Sequence, residues 1–449
     1  MPRIRTFAPL LAIAAGFAMY SGHASAATAN TVPTPDPSIP LYQWDEVTLP
    51  ADSGADCGNG TPYRFYINRA VSNNLLFSLE GGGACWDYGS CTDAPGVAHG
   101  ASNPDGIPQN YMNGTLLESL VSTFESPLMT RINLATFLLE PRIETQDWTQ
   151  VFMPFCTGVI HAGTAVRAYA SPDGDTIRIQ HFNGLRNTRA VTKWLVEHGL
   201  GQPDRLLVYG LSAGGYGALT NYAQIRQTLQ PRGASGMLDD AGTVFFTPMD
   251  ADPSTHPSVY AYNRIAKEWN LAAPDGFYAT MHKLTTNFDS NNLGSLYQAL
   301  SNQYPHDRFG LSTFQQDEVI SGFHYDAFDP AAMATTDPAA RSQLDLQLFD
   351  MELPGIKKTT AALPNFGYYM PWARGGFINN HTVTAVTFSG TAIHENGINA
   401  DVGDFVNDLL SQQDPAITPV TKDFRTQQWS DPLTVADALG VLEALFTAL

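Results

Sequence analysis

The stretch Leu206-Leu207-Val208-Tyr209-Gly210-Leu211-Ser212-Ala213-Gly214-Gly215 constrains this chain more than any other. An apolar run of the length of one buried strand stops at Gly-x-Ser-x-Gly and passes directly into helix-compatible sequence. A strand that turns this sharply into a helix holds its serine in strained dihedrals and lifts the hydroxyl above the sheet. Side chains at 210 and 214 would collide with the neighbouring strand and helix, which is why glycine stands there. The free N–H groups at the helix start favour negative charge developing beside Ser212. A merely structural Gly-rich turn is the plain alternative; the flanking strand and helix favour a nucleophile.

The surrounding sequence alternates. Leu75-Leu76-Phe77-Ser78-Leu79 reads as a buried strand closed by Gly81-Gly82-Gly83, and 150–155, 205–211, 234–238 and 308–314 read the same way. Helical spacing falls at 185–198 and 214–229. Such alternation implies βαβ crossovers, hence an α/β class with a mostly parallel central sheet and helices on both faces. With the serine turn included, the expectation is α/β-hydrolase-like. The 449 residues would suit about three domains at ~150 residues each. No repeat or second linker divides them, so one catalytic domain over 42–449 is expected, with insertions at 245–305 and 327–365 building the cleft. A capped helix is expected from Asp431 to Leu449.

The chain opens with Arg3 and Arg5, an apolar stretch from Ala8 to Tyr20, and Ala24-Ser25-Ala26. This is the pattern of a secretory signal peptide over 1–26, cut after Ala26 or one residue later. The apolar stretch is too short to span a bilayer, which takes roughly 20 residues. Residues 27–41, with Pro33, Pro35, Pro37 and Pro40, read as a Pro/Thr-rich tether. The expectation is a secreted protein, extracellular or periplasmic, without stable membrane insertion. The formal charge of −19 disfavours a nucleic-acid partner. In an oxidising compartment Cys57, Cys85, Cys91 and Cys156 can pair, and four cysteines allow three pairings. Cys85 and Cys91 are close enough for a local staple, which leaves Cys57 with Cys156. No Cys or His spacing suggests zinc, so neither metal nor cofactor is expected.

A second glycine turn, Glu80-Gly81-Gly82-Gly83-Ala84, follows a strand where a loop could supply backbone donors to an oxyanion. The hole is assigned to the Gly82 and Ala213 amides, with Gly83 a third donor. No Gly-Lys-Ser/Thr or Gly-x-Gly-x-x-Gly pattern supports phosphate binding. Nucleophile, acid and histidine run in that chain order in such folds. Asp317, after the second strand beyond the serine, is preferred to Asp240 and Asp326. His381, in a turn-rich loop after the apolar segment 366–372, is preferred to His394, which follows the strand-like run 383–388. His324 lies too near Asp317 and reads as a surface or packing residue, and His99, His161 and His181 carry no special signal.

These blocks carry a family resemblance. Cys57-x-Asn-Gly-Thr-Pro, Leu79-Glu-Gly-Gly-Gly-Ala-Cys-Trp-Asp, Met153-Pro-Phe-Cys-Thr-Gly, Gly210-Leu-Ser-Ala-Gly-Gly, Leu238-Asp-Asp-Ala-Gly, Phe314-Gln-Gln-Asp-Glu and His381-Thr resemble, in order, the blocks of the pectin acetylesterase and Notum family. The resemblance spans about residues 57–410 and implies a bacterial-type member. It further implies a metal-free carboxylesterase whose triad falls on Ser212, Asp317 and His381. Many relatives carry an aromatic residue where this chain has Gly83, which leaves room for an acyl group larger than acetyl. Trp86 is a candidate wall of the substrate pocket.

The expected activity is removal of acetyl or another short acyl group from an extracellular carbohydrate. Alternatives are a deacylase acting on lipid, protein-linked acyl groups or aliphatic polyester, and an inactive carbohydrate-binding homologue. The acidity of the chain disfavours bare polyanionic pectin.

Overall fold

The computed structural model describes residues 33–94, 100–112, 125–129, 143–374, 380–388, 390–395, 398–411 and 422–423. The signal peptide expected over 1–26, the start of the expected tether, residues 375–379, His99 and the C-terminal helix expected over 431–449 lie outside them. In chain order the strands are β1 (Trp44–Thr48), β2 (Arg64–Asn68), β3 (Leu75–Leu79), β4 (Thr149–Met153), β5 (Ala165–Ala170), β6 (Ile177–Phe182) and β7 (Leu206–Leu211). There follow β8 (Ser235–Asp240), β9 (Arg308–Ser312), β10 (Phe366–Met370), β11 (Ile393–Glu395), β12 (Ile398–Ala400) and β13 (Lys422–Asp423).

Nine of these form one sheet in the order β1-β2-β4-β3-β7-β8-β9-β10-β13. From β4 through β13 all neighbours are parallel, and β1 and β2 are added antiparallel at one edge. The fold is α/β-hydrolase-like. Strands β3, β4, β7, β8, β9 and β10 are buried along their whole length, as parallel strands covered on both faces must be. That is why they read as near-continuous apolar runs. The helix Ala213–Leu229 packs on β7 and β8 with nearly every residue buried.

Strand order reverses at β3, whose neighbours are β4 on one side and β7 on the other. Loops leaving β3 and β7 therefore part at the carboxyl edge, opening the crevice typical of such a switch point. Register places Leu79 opposite Gly210 and Gly210 opposite Asp239. The glycine turn, the serine turn and the Asp239-Asp240 pair thus emerge side by side.

Three expectations need correction. Part of the presumed tether is packed, since Ile39 is 3% exposed and the Asp36 N–H donates to the His198 carbonyl at 3.0 Å. The run 383–388 is not a strand: the Val383 and Thr384 amides donate to the Asp240 carboxylate at 2.8 and 2.7 Å, which removes them from any ladder. The segments 245–305 and 327–365 form helices, among them Val259–Glu268, Ser295–Gln303 and Pro338–Ala361. Neither segment contributes to the described lining of the cleft that holds Ser212.

Both disulfides are present, Cys57–Cys156 and Cys85–Cys91. The first ties the loop before β2 to the end of β4, and the second closes the turn after the glycine loop. Among the described residues no helix is long and apolar enough to cross a membrane.

Candidate active site

Ser212 sits between β7 and the helix Ala213–Leu229 with φ 54° and ψ −120°, a left-handed conformation costly for a serine. Its N–H donates to the Asp240 carbonyl at 2.7 Å, which helps hold the turn. The two flanking glycines answer to contact. A Cβ at Gly210 would lie 2.0 Å from the Gly214 carbonyl oxygen, and one at Gly214 would lie 1.9 Å from that of Leu79. Both obstacles are backbone and cannot move aside cheaply.

Asp317 caps the helix Glu318–Tyr325, its Oδ1 accepting from the Val319 and Ile320 amides at 3.0 and 2.9 Å. It is fully buried and faces His381, whose Nδ1 lies 3.0 Å from both carboxylate oxygens. His381 keeps 13% of its side chain exposed, at the cleft. Burial pulls the pKa of His381 down, but the Asp317 charge and hydrogen bond, with a further push from Asp240, leave it raised above 6.5.

The cleft has a volume of about 450 Å³. One part of its wall is Glu80, Gly81, Gly82, Gly83, Ser102, Tyr111 and Glu125; another is Ile160, Leu211, Tyr216, Val319, Ile320 and Phe323. Ser212, Ala213 and His381 meet there. Gly82 and Gly83 have φ 143° and 69°, backbone that side chains seldom adopt. A Cβ on Gly82 would strike the Ser102 hydroxyl at 2.0 Å and Phe155 at 2.7 Å. The structure thus brings together Ser212, Ala213, Gly82, Gly83 and His381, with Asp317 behind the histidine.

Asp240 is not the partner of His381. It is fully buried and holds the histidine loop from beneath, accepting from the Val383 and Thr384 amides and, at 2.5 Å, from the Thr384 hydroxyl. The same loop is tied by the Arg374 guanidinium, which donates to the Val383 and Thr387 carbonyls at 2.7 and 3.1 Å. Asp326 lies elsewhere, 3.6 Å from Arg341. His324 is fully buried among aromatic rings, 2.7 Å from the Tyr216 hydroxyl, and burial lowers its pKa to about 3. It is a packing residue. His394 belongs to β11.

Trp86 is displaced from its expected place. It is 6% exposed, its ring 4.5 Å from that of Phe328 and 6.4 Å from that of Phe323. It lines a second hollow with Tyr88 and Asp326, while Phe323 stands between it and the cleft as part of the cleft wall. Among the described residues no group of three or more His, Cys, Asp or Glu side chains is placed to hold a metal ion.

Sequence reasoning missed Glu80 as a working side chain. Its Oε1 accepts from the Tyr111 hydroxyl at 2.6 Å and its Oε2 from the Phe155 amide at 2.7 Å. Its carbonyl accepts from His161 Nε2 at 2.9 Å. Burial holds that histidine neutral, lowering its pKa to about 4. Three chain segments therefore converge on the residue just before Gly81, Gly82 and Gly83. A buried carboxylate directly ahead of a Gly-Gly-Gly turn was the available signal; its partners are too distant in sequence to be read.

The Pectinacetylesterase family model matches residues 142–275. The chain is similar to the Palmitoleoyl-protein carboxylesterase notum1a of Danio rerio, 26% identical over 196 residues, covering 42% of this chain and 34% of that protein. It is similar also to the Palmitoleoyl-protein carboxylesterase NOTUM of Mus musculus, 25% identical over 185 residues, 40% of this chain and 31% of that protein. The chain thus spans about a third of the length of these curated relatives. The crystal structure of the Wnt deacylase Notum from Drosophila superposes with a TM-score of 0.51 at 15% identity, covering 86% of this chain and 97% of that one. The last likeness is one of fold.

Proposed function

We propose, on its likeness to the pectinacetylesterase family over residues 142–275 and to the Notum carboxylesterases, that this chain is a secreted serine carboxylesterase. Ser212 attacks the ester carbonyl carbon while His381 takes its proton through Nε2, and Asp317 fixes the Nδ1–H tautomer and stabilises the imidazolium. The oxyanion is held by the Gly82, Gly83 and Ala213 amides at the start of the helix Ala213–Leu229. His381 then protonates the departing alkoxide. In the second half it deprotonates a water that attacks the acyl-enzyme, and returns that proton to Ser212 as the acid leaves. The observation that carries this reading is the His381–Asp317 pair at 3.0 Å beside a strained Ser212 in one cleft.

The substrate in this reading is an extracellular carbohydrate bearing acetyl or another short acyl group. A second reading, deacylation of a longer acyl chain on lipid, protein or polyester, is favoured by one observation: Ile160, Leu211, Val319, Ile320 and Phe323 give the cleft more apolar wall than a two-carbon group covers. Hydrolysis of p-nitrophenyl acetate, butyrate and octanoate by the secreted protein, with Ser212→Ala as control, tests both. Turnover that falls with chain length supports the short-acyl reading and turnover that rises supports the long one. Absence of Ser212-dependent turnover on all three overturns the esterase assignment.

A further inference from the structure

Gly81, Gly82 and Gly83 have almost no steric restraint of their own, yet Gly82 and Gly83 are held at φ 143° and 69°. In the esterase reading above, their loop supplies one half of the oxyanion hole, and the Ala213 amide at the start of the helix Ala213–Leu229 supplies the other. Donors from two separate segments stabilise an oxyanion only if the segments stay at a fixed separation. Ser102 restrains the middle of the loop, its N–H donating to the Gly82 carbonyl at 2.8 Å. At the loop's entry the restraint comes from His161.

His161 is 2% exposed and spans the two halves. On one side its carbonyl accepts from Asn221 Nδ2 at 3.0 Å, and its ring lies so close to Gly217 that a Cβ there would sit 2.7 Å from it. Asn221 and Gly217 both belong to the helix that begins beside Ser212. On the other side its Nε2 lies 2.9 Å from the Glu80 carbonyl oxygen. A carbonyl oxygen only accepts, so Nε2 carries the proton. That carbonyl shares a rigid plane with the Gly81 N–H, so fixing it fixes the direction in which the chain enters the glycines. The bond is to the main chain and holds in either protonation state of the Glu80 carboxyl. The backbone is bent to make it: Ile160 and His161 have φ 46° and 58°, outliers for a β-branched or bulky residue that persist only where the surroundings impose them. The same bend delivers Ile160 to the cleft wall, whereas His161 is absent from the described lining. Building on the esterase reading, we propose that His161 is a positioning residue of the oxyanion hole, a strut between the nucleophile helix and the glycine loop that acts through its Nε2–H on the Glu80 carbonyl.

The test separates kcat from KM on p-nitrophenyl acetate in the secreted protein. His161→Phe keeps an aromatic ring and loses the donor; its kcat should fall about 10- to 100-fold as the loop amides drift, with KM held within about threefold. His161→Gln places an Nε2 donor the same number of bonds from Cα and should recover kcat to within about threefold of wild type. A trifluoromethyl ketone, which puts an oxyanion into the hole on adding to Ser212, should bind His161→Phe more weakly by the same factor as the loss in kcat/KM. Wild-type kcat in His161→Phe, equal losses in the Phe and Gln variants, or a loss carried by KM overturns the proposal. If His161→Phe does not fold, Gly217→Ala decides: alanine suits a helix, and its methyl pushes the imidazole away from Glu80. There too kcat should fall with KM held, and an unchanged kcat overturns the strut. A wild type without Ser212-dependent turnover removes the esterase reading and this inference with it, whereas an active wild type with unaffected variants removes the inference alone.

Discussion

Replacing Glu80 by glutamine isolates the ionisation of a buried carboxyl from its shape. Glutamine can keep the Phe155 amide as a donor to its carbonyl and can donate to Tyr111 once the phenol turns. It removes only the charge. Burial raises Glu80 to about 7 from an ordinary 4.5, with Tyr111 and Phe155 pulling the other way. A carboxyl whose pKa is higher folded than unfolded contributes stability that is complete below the unfolded value and lost as pH rises through the folded one. At ~1.4 kcal/mol per pH unit, a displacement of this size corresponds to about 3 kcal/mol between pH 4.5 and pH 8. Urea denaturation of wild type and Glu80→Gln at pH 5 and 8.5 reads it directly. The stability difference should move in favour of the variant by about 2–3 kcal/mol from the lower to the higher pH. Parallel pH dependence in the two proteins would refute the claim that Glu80 titrates in the folded state near neutrality.

Three further outcomes follow from named contacts. Asp317→Asn should lower kcat by roughly 10⁴-fold and move the acid limb of the kcat/KM profile, held up by the carboxylate beside His381, to lower pH, because the neutral amide no longer favours the imidazolium; an unmoved limb would contradict the pairing. Gly214→Ala, whose Cβ would lie 1.9 Å from the Leu79 carbonyl oxygen, should destabilise the protein by about 3 kcal/mol or more in urea titrations, and wild-type stability would show that the turn is not tightly packed. Removing Cys57–Cys156, which closes a loop of 99 residues, should cost about 4–5 kcal/mol, against about 2 kcal/mol for Cys85–Cys91 with its separation of 6; double cysteine-to-serine variants measured by thermal unfolding should keep that order.

What was legible in the sequence is what is local. The turn at Ser212 could be read because strand, glycines and helix are contiguous, and the parallel strands because burial on both faces leaves unbroken apolar runs. Asp317 stood out by chain order, and the structure adds its second task, capping the helix that follows it. The parts that could not be read depend on distant partners. Glu80 meets Phe155 and His161 across 75 and 81 residues. Asp240 looked like a rival catalytic acid until its carboxylate was seen holding the Val383 and Thr384 amides, 143 and 144 residues away. The same contact explains why β-branched residues at 383–384 form no strand. Trp86 was misplaced for a related reason: an aromatic next to a glycine loop suggests a pocket wall, but Phe323 occupies that wall and Trp86 backs it.

Activation of Ser212 by His381 is the centre of the proposed chemistry. A fluorophosphonate probe reacts covalently with activated serines, and its site can be mapped by peptide mass analysis. The expected result is one adduct on the peptide containing Ser212, absent from Ser212→Ala and strongly reduced in His381→Ala. An adduct on another serine, or labelling of Ser212 that survives unchanged in His381→Ala, would contradict it.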